Sequence, residues 1–197
     1  QATALAEAAA SIGDMQARNA STIGGNLAFG DPAADLPAAL LALDASIVTQ
    51  SAQGGRTIPA DQFFAGSFRT VLEHDEVITA VHIPLQKGGR RSAYEKFKNP
   101  ANGYPIVGVA ASLVRQENGA IVSCRLGFTG AEAHPQRLYQ AEEAIKGKKA
   151  SAAAFSAAVA LGVVGLKGRS DLYASGEYRV HLITVLAERA LARAQAG

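Results

Sequence analysis

Arg18-Asn19-Ala20-Ser21-Thr22-Ile23-Gly24-Gly25-Asn26, followed by Asp31-Pro32-Ala33-Ala34-Asp35-Leu36-Pro37, places hydroxyls, a glycine pair and an amide just ahead of a helix start. A Gly pair takes φ > 0 at little steric cost and lets backbone approach a ligand closely. Successive N–H groups in such a turn form a concavity suited to anions, phosphates above all. A following helix adds the positive end of its dipole. Within Thr22-Ile23-Gly24-Gly25-Asn26, Thr22 through its hydroxyl, Gly24, Gly25 and Asn26 through their backbone N–H groups, and Asn26 also through its amide make a candidate phosphate cradle. The same residues also suit a tight turn that caps a helix. Asp31 is placed to cap a helix whose first position is Pro32. That helix is expected to run to about Leu43, with Leu36, Leu40 and Leu43 at helical spacing.

Working outward, Ser46–Gln50 reads as a strand, Gln53–Arg56 as a turn and Arg56–Pro59 as the return strand of a hairpin. Asp61 opens one short helical turn, and Glu76–Ile83 is a strand that stops at Pro84. Lys87-Gly88-Gly89-Arg90-Arg91 reads as an exposed linker and a first site of proteolysis near Arg90 or Arg91. Three strands follow, Ser92–Lys98, Ile106–Arg115 and Ala120–Phe128. The last two are joined through Asn118-Gly119, a hairpin signal. Three helices are expected after them, Gln136–Ile145, Ser151–Val164 and one capped by Ser175 that reaches about Ala194. On the last, Tyr178, Leu182, Val185 and Leu186 form the expected apolar stripe. The pattern is α+β, with a three-helix bundle on one face of a three-stranded antiparallel sheet. It divides into an amino-terminal part, 1–86, and a carboxyl-terminal part, 92–197.

The chain has 197 residues, 48% hydrophobic, with a formal net charge of +2. It is long enough to bury well over half of its unfolded surface. The near-neutral charge, with no long Lys/Arg block, points away from nucleic acid. No apolar run approaches the roughly 18 residues of a membrane span, and Gln1–Ala10 carries no basic region typical of a signal peptide. The single Cys124 excludes an intrachain disulfide or a cysteine-based cluster built within the chain. Alternation places it with Val122, Leu126 and Phe128 on one face of a strand, as a buried thiol in keeping with a reducing, cytoplasmic setting. His74, His82, His134 and His181 show no paired metal-ligand spacing. No dinucleotide fingerprint and no nucleophile elbow are present.

Gln16-Ala17-Arg18-Asn19, Thr22-Ile23-Gly24-Gly25-Asn26 and Asp31-Pro32-Ala33-Ala34-Asp35-Leu36-Pro37 resemble the second flavin loop of the FAD-binding medium subunit of molybdenum hydroxylases, the carbon monoxide dehydrogenase and xanthine dehydrogenase family. Phe63-Phe64-Ala65-Gly66, Leu72 to Val77, Val81-His82-Ile83-Pro84, Tyr94-Glu95-Lys96-Phe97-Lys98 and Gly103-Tyr104 resemble later segments in the same order. The resemblance implies the second lobe of a two-lobe, vanillyl-alcohol-oxidase/PCMH-like FAD fold followed by the subunit's carboxyl-terminal domain. It implies FAD as cofactor, with Thr22–Asn26 on the pyrophosphate and Asp35 on a sugar or ribityl hydroxyl. Ile78 lines the flavin, Lys98 supplies a basic group near it, and Tyr104 stands near the isoalloxazine ring. It implies a heterotrimer with a molybdopterin-binding large subunit and a [2Fe-2S] small subunit, electrons passing through them to FAD and on to an external acceptor.

Such subunits carry a first flavin loop upstream of the second. This sequence starts too close to the second to include it, so tight FAD binding by these residues alone is not expected, and a separate amino-terminal lobe becomes a possible partner. Two other readings stand beside the flavin subunit. One is a docking or structural fragment that holds no flavin. The other is a stand-alone FAD oxidoreductase of the same fold, which the lack of an acid/base pair disfavours.

Overall fold

A computed structural model describes residues 2–85 and 89–196. Four helices open the chain: α1 (Thr3–Ala10), α2 (Met15–Ala20), α3 (Ile23–Phe29) and α4 (Asp35–Ala42). The Asp14 carboxylate caps α2 by accepting the Gln16 and Ala17 amides. Thr22 caps α3 in the same way, its hydroxyl oxygen accepting the Gly25 N–H at 3.0 Å. The Gly pair is therefore not a φ > 0 turn. Gly24 and Gly25 lie in the first turn of α3, and Gly30 takes the left-handed conformation at the helix end, φ 64°. The expected helix start at Pro32 is also displaced. The Pro32 carbonyl accepts from the Gly130 N–H at 2.8 Å and the Thr129 hydroxyl at 2.8 Å, so it is not free for an intrahelical bond. Asp31 caps the Ala33 amide within that turn, and α4 begins only at Asp35.

β1 (Ser46–Ser51), β2 (Gly54–Pro59) and β5 (Val77–His82) form an antiparallel sheet in the order β2-β1-β5. A 3-10 turn at Ala60–Gln62 and the small hairpin β3 (Phe64–Gly66) and β4 (Arg69–Thr70) lie between β2 and β5. Leu27, Ile47, Ile58 and Phe63 fill the core beneath.

The second sheet contains β6 (Arg91–Lys98), β7 (Pro105–Arg115), β8 (Ile121–Thr129) and a two-residue β9 (Gln136–Arg137) in sequential order. The expectation of three strands is thus one short. Gln136 and Arg137 pair with Phe128 and Gly127, and the Leu138 N–H reaches Leu126 O at 2.9 Å. Those backbone bonds to β8 win over an earlier helix start, so α5 (Tyr139–Ile145) begins three residues later than expected. α6 (Ala152–Gly162) is capped by Ser151, and α7 (Gly176–Ala196) by the Ser175 hydroxyl, which accepts the Tyr178 N–H. The apolar stripe of α7 is rotated from the expected one. Leu182 and Leu186 are buried with Ile183, Ala187, Ala190 and Leu191, whereas Tyr178 is 43% exposed and Val185 sits at the edge.

Pro105 to Val114 of β7 are all buried, as a strand covered on both faces must be. α5 and α7 cover one face, and α1 and α4 cover the other. The approach of α4 is close: a Cβ at Gly127 would lie 2.3 Å from Ala38 O. The expected proteolytic linker falls partly on residues 86–88, which lie outside the described residues. Arg90 is buried and donates to Leu43 O at 2.7 Å, whereas Arg91 opens β6 with its side chain exposed. No described helix is long and apolar enough to cross a membrane.

Candidate functional site

A cavity of about 320 Å³ opens between the Ile12–Asp14 loop, α2, the start of α3 and the Gly103-Tyr104 loop. Thr22, Gly25, Asn26, Asp35 and Tyr104 all line it. Its closure requires two glycines. A Cβ at Gly13 would stand 2.6 Å from Gly103 Cα, and Gly103 has φ +73°, a region bulky residues avoid. The Gly103 N–H donates to Asn99 O at 2.8 Å and the Asn99 N–H to Tyr104 O at 2.7 Å, which pins the tyrosine loop.

The polar atoms at the α3 start are only partly satisfied. Among the described residues the Ile23 and Gly24 N–H groups have no backbone or side-chain acceptor, as expected at a helix N-terminus. The Thr22 hydroxyl accepts from Gly25 and keeps its own proton to donate. Asn26 Oδ1 is sealed from solvent and has no hydrogen-bond partner. A buried acceptor left unpaired is costly, and a ligand donor resolves it. Tyr104 is held well protonated, since burial and then the Asp31, Asp14 and Asp35 carboxylates raise its pKa above the ordinary value. Its hydroxyl is a donor.

The remaining expected residues lie apart from this group. Ile23 faces a neighbouring, more apolar cavity of about 450 Å³ on the other side of Ser21-Thr22. Gly24 packs over Ile78 of β5, with a Cβ there 3.8 Å from Ile78 Cβ, so Ile78 supports the cradle from behind. Lys98 lies outside both cavities and is exposed. A register shift between Phe97 and Lys98 interrupts the pairing of β6 with β7 at this end of the strand.

Lys96 is the basic residue that reaches the site. Its Nζ lies 2.9 Å from Asp35 Oδ1 and 3.0 Å from Oδ2, and it also donates to Ser11 O. Tyr94 donates its hydroxyl to Asp35 Oδ1 at 2.7 Å and Ser11 adds a 3.2 Å bond. Burial pushes the Asp35 pKa up, and Lys96 opposes this most strongly. Asp35 is 4% exposed and fully engaged, so its carboxylate anchors the floor of the cavity through internal partners. Sequence reasoning missed Lys96, Tyr94 and Ser11. The available signal was period-two alternation, which puts Tyr94 and Lys96 on one face of β6.

These residues fit a ligand carrying both acidic and hydroxyl groups. Free amides and a hydroxyl suit a phosphate, and an orphaned acceptor suits a sugar or ribityl hydroxyl. Comparison with known proteins bears on the identity of that ligand. Residues 1–86 match the FAD binding domain in molybdopterin dehydrogenase, and residues 92–194 match the CO dehydrogenase flavoprotein C-terminal domain. The chain is 36% identical over 192 residues to the nicotine 6-hydroxylase medium subunit of Paenarthrobacter nicotinovorans, covering 98% of this chain and 67% of that protein. It belongs to the FAD-binding medium subunits of the molybdenum hydroxylases. FAD is the cofactor of that family. A second relative in the family, the carbon monoxide dehydrogenase medium chain of Hydrogenophaga pseudoflava, is 33% identical over 187 residues, 95% of this chain and 65% of that one. The carbon monoxide dehydrogenase from H. pseudoflava lacking the Mo-pyranopterin moiety superposes with a TM-score of 0.91 at 35% identity, over 97% of this chain and 66% of its own. The chain spans about two thirds of the length of these medium subunits.

Cys124 is 2% exposed, and burial pushes its thiol pKa far up, so it is a core residue and not a nucleophile. No group of three His, Cys, Asp or Glu side chains suited to a metal occurs among the described residues.

Proposed function

We propose that this chain holds FAD at the α2–α3 junction as the flavin subunit of a cytoplasmic molybdenum hydroxylase. The observation that carries the reading is the solvent-sealed, unpartnered Asn26 Oδ1 beside the free first-turn amides of α3. The Thr22 hydroxyl faces the pyrophosphate, the free Ile23 and Gly24 amides behind it add the positive end of α3, and Asn26 Oδ1 accepts from a hydroxyl of the nucleotide. Gly25 leaves the space a side chain would fill. Tyr104 walls the cavity with a neutral ring and donates from its hydroxyl. Asp35, clamped by Lys96, positions the α4 start under the cradle. Lys98 has no part in this arrangement. When bound, FAD supplies the redox chemistry, between a [2Fe-2S] small subunit fed by a molybdopterin large subunit and an external acceptor. In this reading residues 1–86 form the second lobe of a two-lobe FAD fold, and 92–197 form the carboxyl-terminal domain on which α1 and α4 dock.

The test is FAD occupancy of the subunit in its assembled complex, read from the visible absorption spectrum. A Cβ at Gly25 would meet Thr22 Oγ1 at 3.2 Å and its branches would enter the cavity. Gly25→Val and Asn26→Ala are expected to lose most of the flavin while far-ultraviolet circular dichroism stays unchanged. Normal flavin occupancy in both variants would sink the reading.

A further inference from the structure

A third cavity, of about 290 Å³, shares Tyr104 with the cavity at the α2–α3 junction. We propose that this third cavity binds a small aromatic carboxylate.

The charge argument rests on Arg169. Its Nε donates to Gly130 O at 3.0 Å, but among the described residues its terminal nitrogens have no acceptor and no carboxylate within ion-pair distance. The guanidinium is half-buried, and burial and the nearby Arg179 charge lower its pKa. Unpaired burial of a cation is unfavourable, and a bidentate carboxylate is the natural complement. The two acids in the wall are already engaged. Asp171 accepts from Arg179 at 2.6 Å and from the Tyr173 and Ala174 amides. Asp31 accepts the Ala33 amide.

Two buried donors add to Arg169. Asn99 is 4% exposed; its Oδ1 accepts the Ala101 N–H, and its NH₂ has no acceptor among the described residues. Arg179 is 1% exposed. Its terminal nitrogens bond Ile106 O, Gly130 O and Asp171, while its Nε is sealed from solvent without a partner. Both residues line the cavity.

The wall also offers exposed rings. Phe68 and Tyr173 line the cavity and are 57% and 58% exposed. Phe68 is held at φ 53°, a conformation a bulky residue rarely adopts, by a bond from its N–H to Gly30 O and edge-to-face contact with Phe29 at 5.2 Å. Strain held at an exposed aromatic marks functional positions. Exposed ring faces beside an unpaired guanidinium specify a planar apolar body with an anionic end. The volume is at the small end for ligand sites and suits one substituted ring, not a nucleotide.

Benzoate is the probe, titrated into the purified chain. The chain has no tryptophan and five tyrosines, of which Tyr104 and Tyr173 line the cavity, so the binding-dependent part of the tyrosine fluorescence is followed, and side-chain amide NMR reports on Asn99. Saturable binding is expected, with shifts at the Asn99 amide. Benzamide, the same ring without the charge, should bind about tenfold more weakly, as should benzoate to Arg169→Gln. Tyr173→Ala, at an exposed position that leaves the core intact, should weaken benzoate binding but not the weak binding of inorganic phosphate. FAD occupancy should be unchanged in both variants, which keeps this site separate from the flavin reading. Absence of benzoate binding, equal affinity in Arg169→Gln, or phosphate binding as tight as benzoate would each overturn the proposal.

Discussion

Asp35 shows how one residue's role depends on its neighbours. Read alone, it is a first-turn helix acid or a ligand for a hydroxyl. In the fold it is a buried anion held by Lys96, Tyr94 and Ser11. Removing one partner of a buried pair leaves an uncompensated charge, at a cost of about 3–5 kcal/mol. Lys96→Met should therefore lower the unfolding free energy by about that amount, measured by urea denaturation. Lys96→Met with Asp35→Asn should recover most of the loss. The sign with pH follows from charge. Protonated Asp35 needs no counter-ion, so the deficit of Lys96→Met should shrink as the pH falls from neutrality. A deficit that is constant with pH would show that Lys96 acts through packing alone.

At the scale of elements, two contacts decide how the sheets are joined. α4 lies so close to β8 that Gly127 has no room for a side chain. Gly127→Ala should force the helix off the strand and cost about 1–3 kcal/mol, the usual penalty for overpacking, seen as a lowered thermal midpoint. In the first sheet, Glu76 at the entrance to β5 ties three elements together. It pairs with Arg56 of β2 at 2.6 Å and accepts from the Thr49 hydroxyl of β1 and the Glu73 amide. The Arg56 guanidinium above all, then the Glu73 amide, hold its carboxyl at about 2, below its ordinary 4.5. A carboxyl whose folded pKa is depressed stabilises above its unfolded pKa, and the contribution is lost as pH falls toward the folded value. Stability should thus fall between about pH 4.5 and 2, and Glu76→Gln should flatten that fall. An identical pH slope in the variant would exclude Glu76 as its source.

At the scale of the molecule, the two parts are coupled by packing and by charge. α1 and α4, from the first part, cover a face of the second part's sheet. Arg137 pairs with buried Glu142 at 2.5 Å and reaches Asp44 and Asp61 of the first part at 3.4 and 3.5 Å. Arg137→Met leaves Glu142, 3% exposed, with only Arg125 at 3.9 Å and the Leu126 N–H to hold its charge, and should destabilise by up to about 3–5 kcal/mol. Because the parts share α4, amide protection should fall together at Ile47 in β1 and at Leu126 in β8, measured by native-state hydrogen exchange. Loss confined to Leu126 would show that the two sheets open independently.

The strands β1, β2, β5, β6, β7 and β8 were legible in the sequence within a residue or two, as was the cap of α7, because alternation, turn residues and capping side chains are local signals. The motif around the glycine pair was legible as a candidate phosphate cradle through a hydroxyl, two glycines and an amide in series, and its link to FAD through the resemblance to the family's second flavin loop. The α4 start, the two-residue β9 and the stripe of α7 were not, because each depends on a partner distant in sequence: the Pro32 carbonyl meets Thr129 and Gly130, and Gln136-Arg137 meet β8. The choice between Lys96 and Lys98 depended on a buried partner 61 residues away, Asp35, that local pattern does not encode. Local periodicity by itself determined most of the elements, motif chemistry suggested an anion, and the resemblance of the motif to a flavin loop named the ligand. Only the tertiary structure decided which side chains face that ligand and which are consumed within the protein, because burial and long-range hydrogen bonds set the partner of every polar group.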